Sequence, residues 1–180
     1  MNKNLAARNE IEKHLETQKL RRELQESDSS EMNLRRAVIG LSLLGMGAMT
    51  AVTLLQTGIV KHLPDPPIKD FNSDKVNSAD TAYALGVPDG TISLAGLAAN
   101  IPLAAFGGEN RAEEMPIVPL VAAAKSTVEA AAAAWYFYQM PAKEGKWCGY
   151  CIVGAAANIG IAALTLIEAK KAWKNLFSED

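Results

Sequence analysis

Histidine and cysteine are scarce in this sequence, and each scarcity closes off a function. His14, His62, Cys148 and Cys151 are the only histidines and cysteines in 180 residues. A structural zinc site takes about four such ligands held together, so no metal centre is expected. A covalently attached haem needs histidine directly after the second cysteine, and Ile152 stands there, so no haem is expected either. The net charge is −2, with no basic excess to collect phosphates, which argues against a nucleic-acid partner. The most telling absence is local: no charge occurs across the 24 residues Ala37–Val60 or the 20 residues Cys148–Ile167.

At about 1.5 Å per residue, either run crosses a hydrocarbon layer of about 30 Å. That excludes an ordinary soluble domain. The charge has gone to the front of the chain, where residues 1–36 carry 15 of the 38 Lys, Arg, Asp and Glu. An apolar run that starts so late and is so long does not fit a cleaved signal peptide, so it reads as a retained span whose environment is membrane lipid.

Two further apolar segments follow, Thr91–Gly107 and Met115–Met140, the second ending in Trp135-Tyr136-Phe137-Tyr138. Such aromatic clusters sit where a helix leaves hydrocarbon for the headgroups. The expected fold is therefore all-α, a polytopic membrane four-helix bundle with spans at about 37–60, 91–107, 115–140 and 148–167. These form one transmembrane domain over 37–170, between a charged, partly helical N-terminal tail (1–36) and a short C-terminal tail (171–180). The spans are rich in Ala and Gly, which lets membrane helices approach closely. Segment 61–90, with Pro64, Pro66, Pro67 and Pro88, reads as an extramembrane loop between spans one and two. Nine Lys and Arg flank the side of the termini and five the other. The positive-inside rule then places both termini in the cytoplasm, with the 61–90 loop and the cysteines on the periplasmic or lumenal side. Residues 9–26 carry a thin apolar stripe, Ile11, Leu15, Leu20 and Leu24; a solvated tail and a docking helix for a partner subunit both fit.

Both cysteines lie in Trp147-Cys148-Gly149-Tyr150-Cys151, at the head of the fourth span. Three residues apart, they can face one side of a first helical turn. Free amide groups and the helix dipole there favour a thiolate, more so at Cys148. Such a pair can close a disulfide, pass two electrons and reopen, or it can be a static disulfide or inert thiols.

The order Ser73-Asp-Lys-Val-Asn-Ser78, Tyr83-Ala-Leu-Gly-Val-Pro88, a span containing Gly96, and Trp147-Cys-Gly-Tyr-Cys151 resembles the vitamin K epoxide reductase family over roughly residues 37–170. Where bacterial members read Cys-Asp-Lys-Val-Leu-Ser-Ser, this chain reads Ser73-Asp74-Lys75-Val76-Asn77-Ser78-Ala79. The resemblance implies a membrane thiol–disulfide oxidoreductase that passes electrons from a thiol partner, a thioredoxin-like protein outside the cytoplasm, through Cys148 and Cys151 to a quinone. Cys151 would face the quinone and Cys148 would exchange with a loop cysteine. Asn158 matches an asparagine of the family's fourth helix and would line the quinone site, while Ala155 stands where some members place an aromatic residue. The family's two loop shuttle cysteines should fall at Ser73 and near Asp65, and neither is cysteine. On this alignment Ser73 lies within reach of Cys148, with Asn77 offset from it.

The broken relay leaves two outcomes: a partner thiol reaches Cys148 directly, or the chain is a non-catalytic relative serving as an accessory subunit of a larger respiratory or photosynthetic membrane complex. No histidine lies in a span to ligate a chlorophyll, which argues against pigment binding. Lys125 and Glu129, four apart in the third span, must face protein, water or each other; they lock the bundle as an ion pair, or touch a quinone or a partner helix. Asn100 in span two is expected to hydrogen-bond between helices.

Overall fold

The computed structural model describes residues 2–177, with side chains from Arg8 onward; the last three residues of the expected C-terminal tail lie outside this range. Every regular element among the described residues is helical. Helix α1 (Asn2–Glu26) is followed by α2 (Ser30–Gln56), a short α3 (Ser73–Asn77), α4 (Asp89–Ala105), a single turn α5 (Arg111–Glu114), α6 (Ile117–Gln139) and α7 (Gly149–Phe177). A 3-10 turn spans Asp80–Tyr83 and a π-turn Met140–Glu144. The π-turn ends at Gly145, whose φ of +62° is a left-handed conformation that glycine adopts without a Cβ penalty.

Ser27-Asp28-Ser29 breaks the chain between α1 and α2, and the Ser29 hydroxyl accepts from the Met32 amide as an N-cap. From there α2 begins well ahead of the uncharged run, so Arg35 and Arg36 belong to its first turns. At the other end of the chain, α7 runs ten residues beyond Ile167. Three helical stretches, Ser30–Gln56, Ile117–Glu144 and Gly149–Phe177, are long and apolar enough to cross a membrane. Only 28%, 22% and 39% of their most apolar stretches is buried by protein, so the remaining apolar surface requires lipid. The protein is an integral membrane protein. At 17 residues, α4 is shorter than these three.

Helix α2 packs against both α4 and α7, and α6 packs against α7, whereas α4 and α6 touch little. The core joins Val38, Met49 and Val52 of α2 to Leu97 of α4 and to Ala157 and Ile161 of α7. A Cβ on Gly45 would lie 2.9 Å from Leu97 Cδ1 and 3.0 Å from Ala157 Cβ, so three helices converge where only a hydrogen fits. Lipid tails are as apolar as leucine, so such close packing and interhelical hydrogen bonds carry association in a membrane. Ser126 of α6 and Thr165 of α7 make one of these bonds, at 2.6 Å.

Two buried arginines close one end. The last carbonyls of a helix lack intrahelical partners, and at the end of α4 the Arg35 guanidinium donates to the oxygens of Ala104 (2.7 Å), Phe106 (3.1 Å), Gly107 (2.9 Å) and Gly108 (2.8 Å). Arg111 donates to Leu103 O and Phe106 O and forms a two-pronged pair with Glu168 at 2.6 and 2.7 Å. Arg35 and Arg111 therefore do more than bias orientation; they tie α2, α4, α5 and α7 together.

Candidate functional site

The cysteines lie at the other end. Ile152 N–H donates to Cys148 O at 3.0 Å, which puts Cys148 at the N-cap of α7. Its sulfur accepts from the Cys151 amide at 3.1 Å, the bond a serine or aspartate oxygen makes at an ordinary N-cap. Cys148 and Cys151 form a disulfide, with Cα atoms 5.2 Å apart. Cys148 is fully buried, and Cys151 is half-buried and borders a cavity.

A cap built from segment 61–77 covers Cys148. The Asn72 amide donates to Trp147 O at 3.0 Å and the Trp147 amide to Asp70 O at 2.9 Å, a two-bond bridge that fixes the cap to the residue preceding Cys148. Lys75 Nζ reaches Glu144 O at 2.7 Å, Lys146 Nζ reaches Lys69 O at 2.7 Å, and Tyr150 donates to Pro64 O at 3.1 Å. Within the cap, Asp74 accepts from the Leu63 amide at 2.8 Å and pairs with the His62 ring. Burial pushes the Asp74 carboxyl up, but these two contacts outweigh it and hold the carboxyl below its ordinary value.

Residues on one face of α3 contact the site. Ser73, Val76 and Asn77 are buried. The Asn77 amide nitrogen donates to Ser73 O at 2.7 Å and to Cys148 Sγ at 3.2 Å, while its oxygen lies 3.3 Å from Cys151 Sγ. One carboxamide thus touches both sulfurs. The hydrogen-bonding neighbour of Cys148 on α3 is Asn77, while Ser73 bonds Asp65, its hydroxyl to Oδ1 at 2.6 Å and its amide to Oδ2 at 2.7 Å.

The cavity beside Cys151 has a volume of about 190 Å³. It is lined by apolar groups such as Met49, Val52, Ala133 and Ala155, with Asn77 and Asn158 among the polar ones. Ile92 on α4 and Phe137 on α6 also line it and are 43% and 38% exposed. The cavity is open at its rim, where Leu85, in the segment before α4, is 69% exposed. Asn158 donates to Gly154 O at 3.1 Å, keeping its own carbonyl oxygen and second N–H for other partners. Glu129 is also on the wall. It pairs with Lys125 at 2.5 Å, and Lys125 donates to Gly96 O (2.8 Å) and Asn100 Oδ1 (2.9 Å). The Asn100 amide returns a bond to Glu129 at 3.2 Å. The lone charged pair of the third span is thus closed within α4 and α6 and still touches the cavity.

The family model of the vitamin K epoxide reductase family matches residues 36–166. The chain belongs to that family. Neither a curated protein nor a solved structure matches it.

Membership in the vitamin K epoxide reductase family goes with membrane thiol–disulfide chemistry, and the chain carries a cysteine pair able to do it. In the loop, where no cysteine occurs between residues 61 and 90, Asp65 and Ser73 are joined by two hydrogen bonds. Sequence reasoning missed Asn77 as a neighbour of the sulfurs. The available signal was its polarity: an amide replaces the leucine of the bacterial motif, on a turn whose next apolar partner, Val76, is buried. Among the described residues, no group of three or more His, Cys, Asp and Glu gathers as metal ligands.

Proposed function

We propose that this protein is a quinone-linked thiol–disulfide oxidoreductase in which Cys148 and Cys151 are the redox pair and a donor thiol meets that pair without a loop relay. The supporting observation is that the disulfide borders a largely apolar cavity through Cys151. A cavity of about 150 Å³ suffices to hold benzene, so about 190 Å³ fits a quinone ring. A bound quinone supplies a two-electron acceptor. The chain's residues do the rest: Cys151 presents sulfur to the cavity, Asn158 offers an N–H to a quinone oxygen and a carbonyl to a hydroquinone hydroxyl, and the cap keeps water from Cys148. The reduced pair gives up two electrons and its thiol protons as it closes to the disulfide, any remaining proton of the hydroquinone comes from solvent, and a donor dithiol restores the pair.

In this reading α4 is the second of four spans, and residues 37–170 form the transmembrane domain. Both termini lie in the cytoplasm and the cap lies outside, where a thioredoxin-like donor is available. Gln25→Cys and Lys69→Cys, at exposed positions, test the sidedness: an impermeant thiol reagent applied to intact cells should label the second only.

The accessory-subunit reading draws on the sulfur-free cap and on α1, which exposes Ile11 by 63% and Leu15 by 59%. Purification in mild detergent separates the two. Thiol-dependent reduction of a short-chain quinone, abolished by Cys148→Ser and by Cys151→Ser, supports the enzyme. Stoichiometric recovery with larger subunits and no turnover supports the accessory role.

A further inference from the structure

The Asn77 carboxamide is oriented by a bond that is independent of the cysteines. Ser73 O can only accept, so the group facing it at 2.7 Å is the amide nitrogen. That choice aims the second N–H of the same nitrogen at Cys148 Sγ, 3.2 Å away, and leaves the carbonyl oxygen facing Cys151 Sγ at 3.3 Å. A donor thus faces one sulfur and an acceptor the other. When the disulfide opens, a thiolate suits the donor and an S–H suits the acceptor.

Two further features act in the same direction on Cys148. It receives the Cys151 amide N–H and sits at the N-terminus of the 29-residue α7, whose dipole favours negative charge. Without such donors, burial as complete as that of Cys148 would keep the thiol protonated. Cys151 is on the cavity side, and nothing but the Asn77 oxygen offers it a polar side-chain partner among the bonds described.

We propose that Asn77 is a positioning residue that assigns the proton of the reduced pair, holding Cys148 as a thiolate and keeping the proton on Cys151. The inference rests on the Cys148–Cys151 pair being redox-active, as in the reading above, and it adds which sulfur is ionised and what ionises it. Reduction by dithiothreitol then balances as follows. The dithiol closes to its cyclic disulfide, giving two electrons and two protons; the Cys148–Cys151 bond breaks; one proton binds Cys151 and the other enters solvent. Because one proton is released, the equilibrium constant should rise tenfold per pH unit while the reagent's own thiols stay protonated, below about pH 8. A pair that took up both protons would show no such dependence.

The test uses the full-length protein in mild detergent, equilibrated with dithiothreitol between pH 6 and 7.5, with the reduced fraction read by thiol trapping. Wild type should show the tenfold dependence. Asn77→Leu removes both polar groups, and Asn77→Asp keeps the shape while replacing the N–H donor by a carboxylate oxygen; both should flatten it. The thiolate absorbance of reduced Cys148 in the Cys151→Ser background should shift to higher pH by at least one unit in the same variants. Asp65→Asn unties the cap at Ser73 without altering the amide, and it should keep the wild-type slope. The proposal is overturned if wild type is flat, or if both Asn77 variants keep the slope, or if Asp65→Asn loses it, since the effect would then be general loosening of the cap. A wild-type pair that stays oxidised at every dithiol concentration overturns the oxidoreductase reading itself, and a quinone assay is not needed to tell these failures apart.

Discussion

The two ends of the helix assembly solve opposite problems. At the arginine end, Arg35 and Arg111 are 2% and 1% exposed, and their donors are taken up by the closing carbonyls of α4 and by Glu168. At the cysteine end the cap is held mostly by main-chain acceptors and exposed lysines, beside a cavity that Cys151 helps to line. Charge is spent where the helices must not move. At the cap, the contacts to the head of α7 and its flank are single hydrogen bonds, several from exposed side chains. A buried pair resists disruption because breaking it strands a charge, whereas surface bonds of the cap can be exchanged for water one at a time.

The sharpest way to break this contrast is at Arg111. Arg111→Ala leaves Glu168 buried without its partner and takes the arginine donor from Leu103 O, so it should cost about 3–5 kcal/mol. Thermal denaturation in detergent should show the loss, and Lys75→Ala at the cap should cost far less. A comparable penalty from both would remove the distinction between the ends.

Ala155→Phe probes the cavity directly, because Ala155 lies on its wall along with Cys151. Overpacking should cost about 1–3 kcal/mol. Quinone-dependent oxidation of the pair should slow by at least tenfold while exchange with dithiothreitol stays near wild type. Equal loss of both would mean that the cavity is not the acceptor site.

A smaller effect is expected from acid. Asp74 has a folded-state pKa below its ordinary 3.8, so its contribution to cap stability is complete above that value. It is lost as the pH falls through the lower folded value, where the carboxyl protonates and releases His62 and the Leu63 amide. Hydrogen exchange at Leu63, corrected for intrinsic rates, should accelerate below pH 4, and Asp74→Asn should show the faster exchange at neutral pH already. The smallest expected change is Ser126→Ala, which removes one bond between α6 and α7 and should cost about 0.6 kcal/mol, measurable only against a well-defined melting curve.

Much of the helical, membrane-embedded character was legible in the uncharged runs, because in lipid the backbone must satisfy itself and helices do so locally. The pair at Cys148 and Cys151 was legible for a similar reason: spacing within one turn is a local property. Arg35, Arg111 and Glu168 were not, since their partners are carbonyls 69 residues away and a carboxylate 57 residues away. Counting charges beside spans treats every arginine as an interfacial anchor, and only the three-dimensional course of α4 reveals which ones are buried. Asn77 escaped for the opposite reason. It was read as a neighbour of Ser73 in a motif, but 71 residues separate it from Cys148, and the turn of α3 decides which of the two points at sulfur.

The Asp65–Ser73 clasp also bears on how the chain is made. Four cysteines in an oxidising compartment allow three sets of two disulfides, and a newly inserted membrane protein that picks the wrong one needs reshuffling. With sulfur replaced by a carboxylate and a hydroxyl, these 180 residues contain two cysteines and one intramolecular pairing. The cap is held by hydrogen bonds alone, so its closure requires no disulfide exchange within the loop.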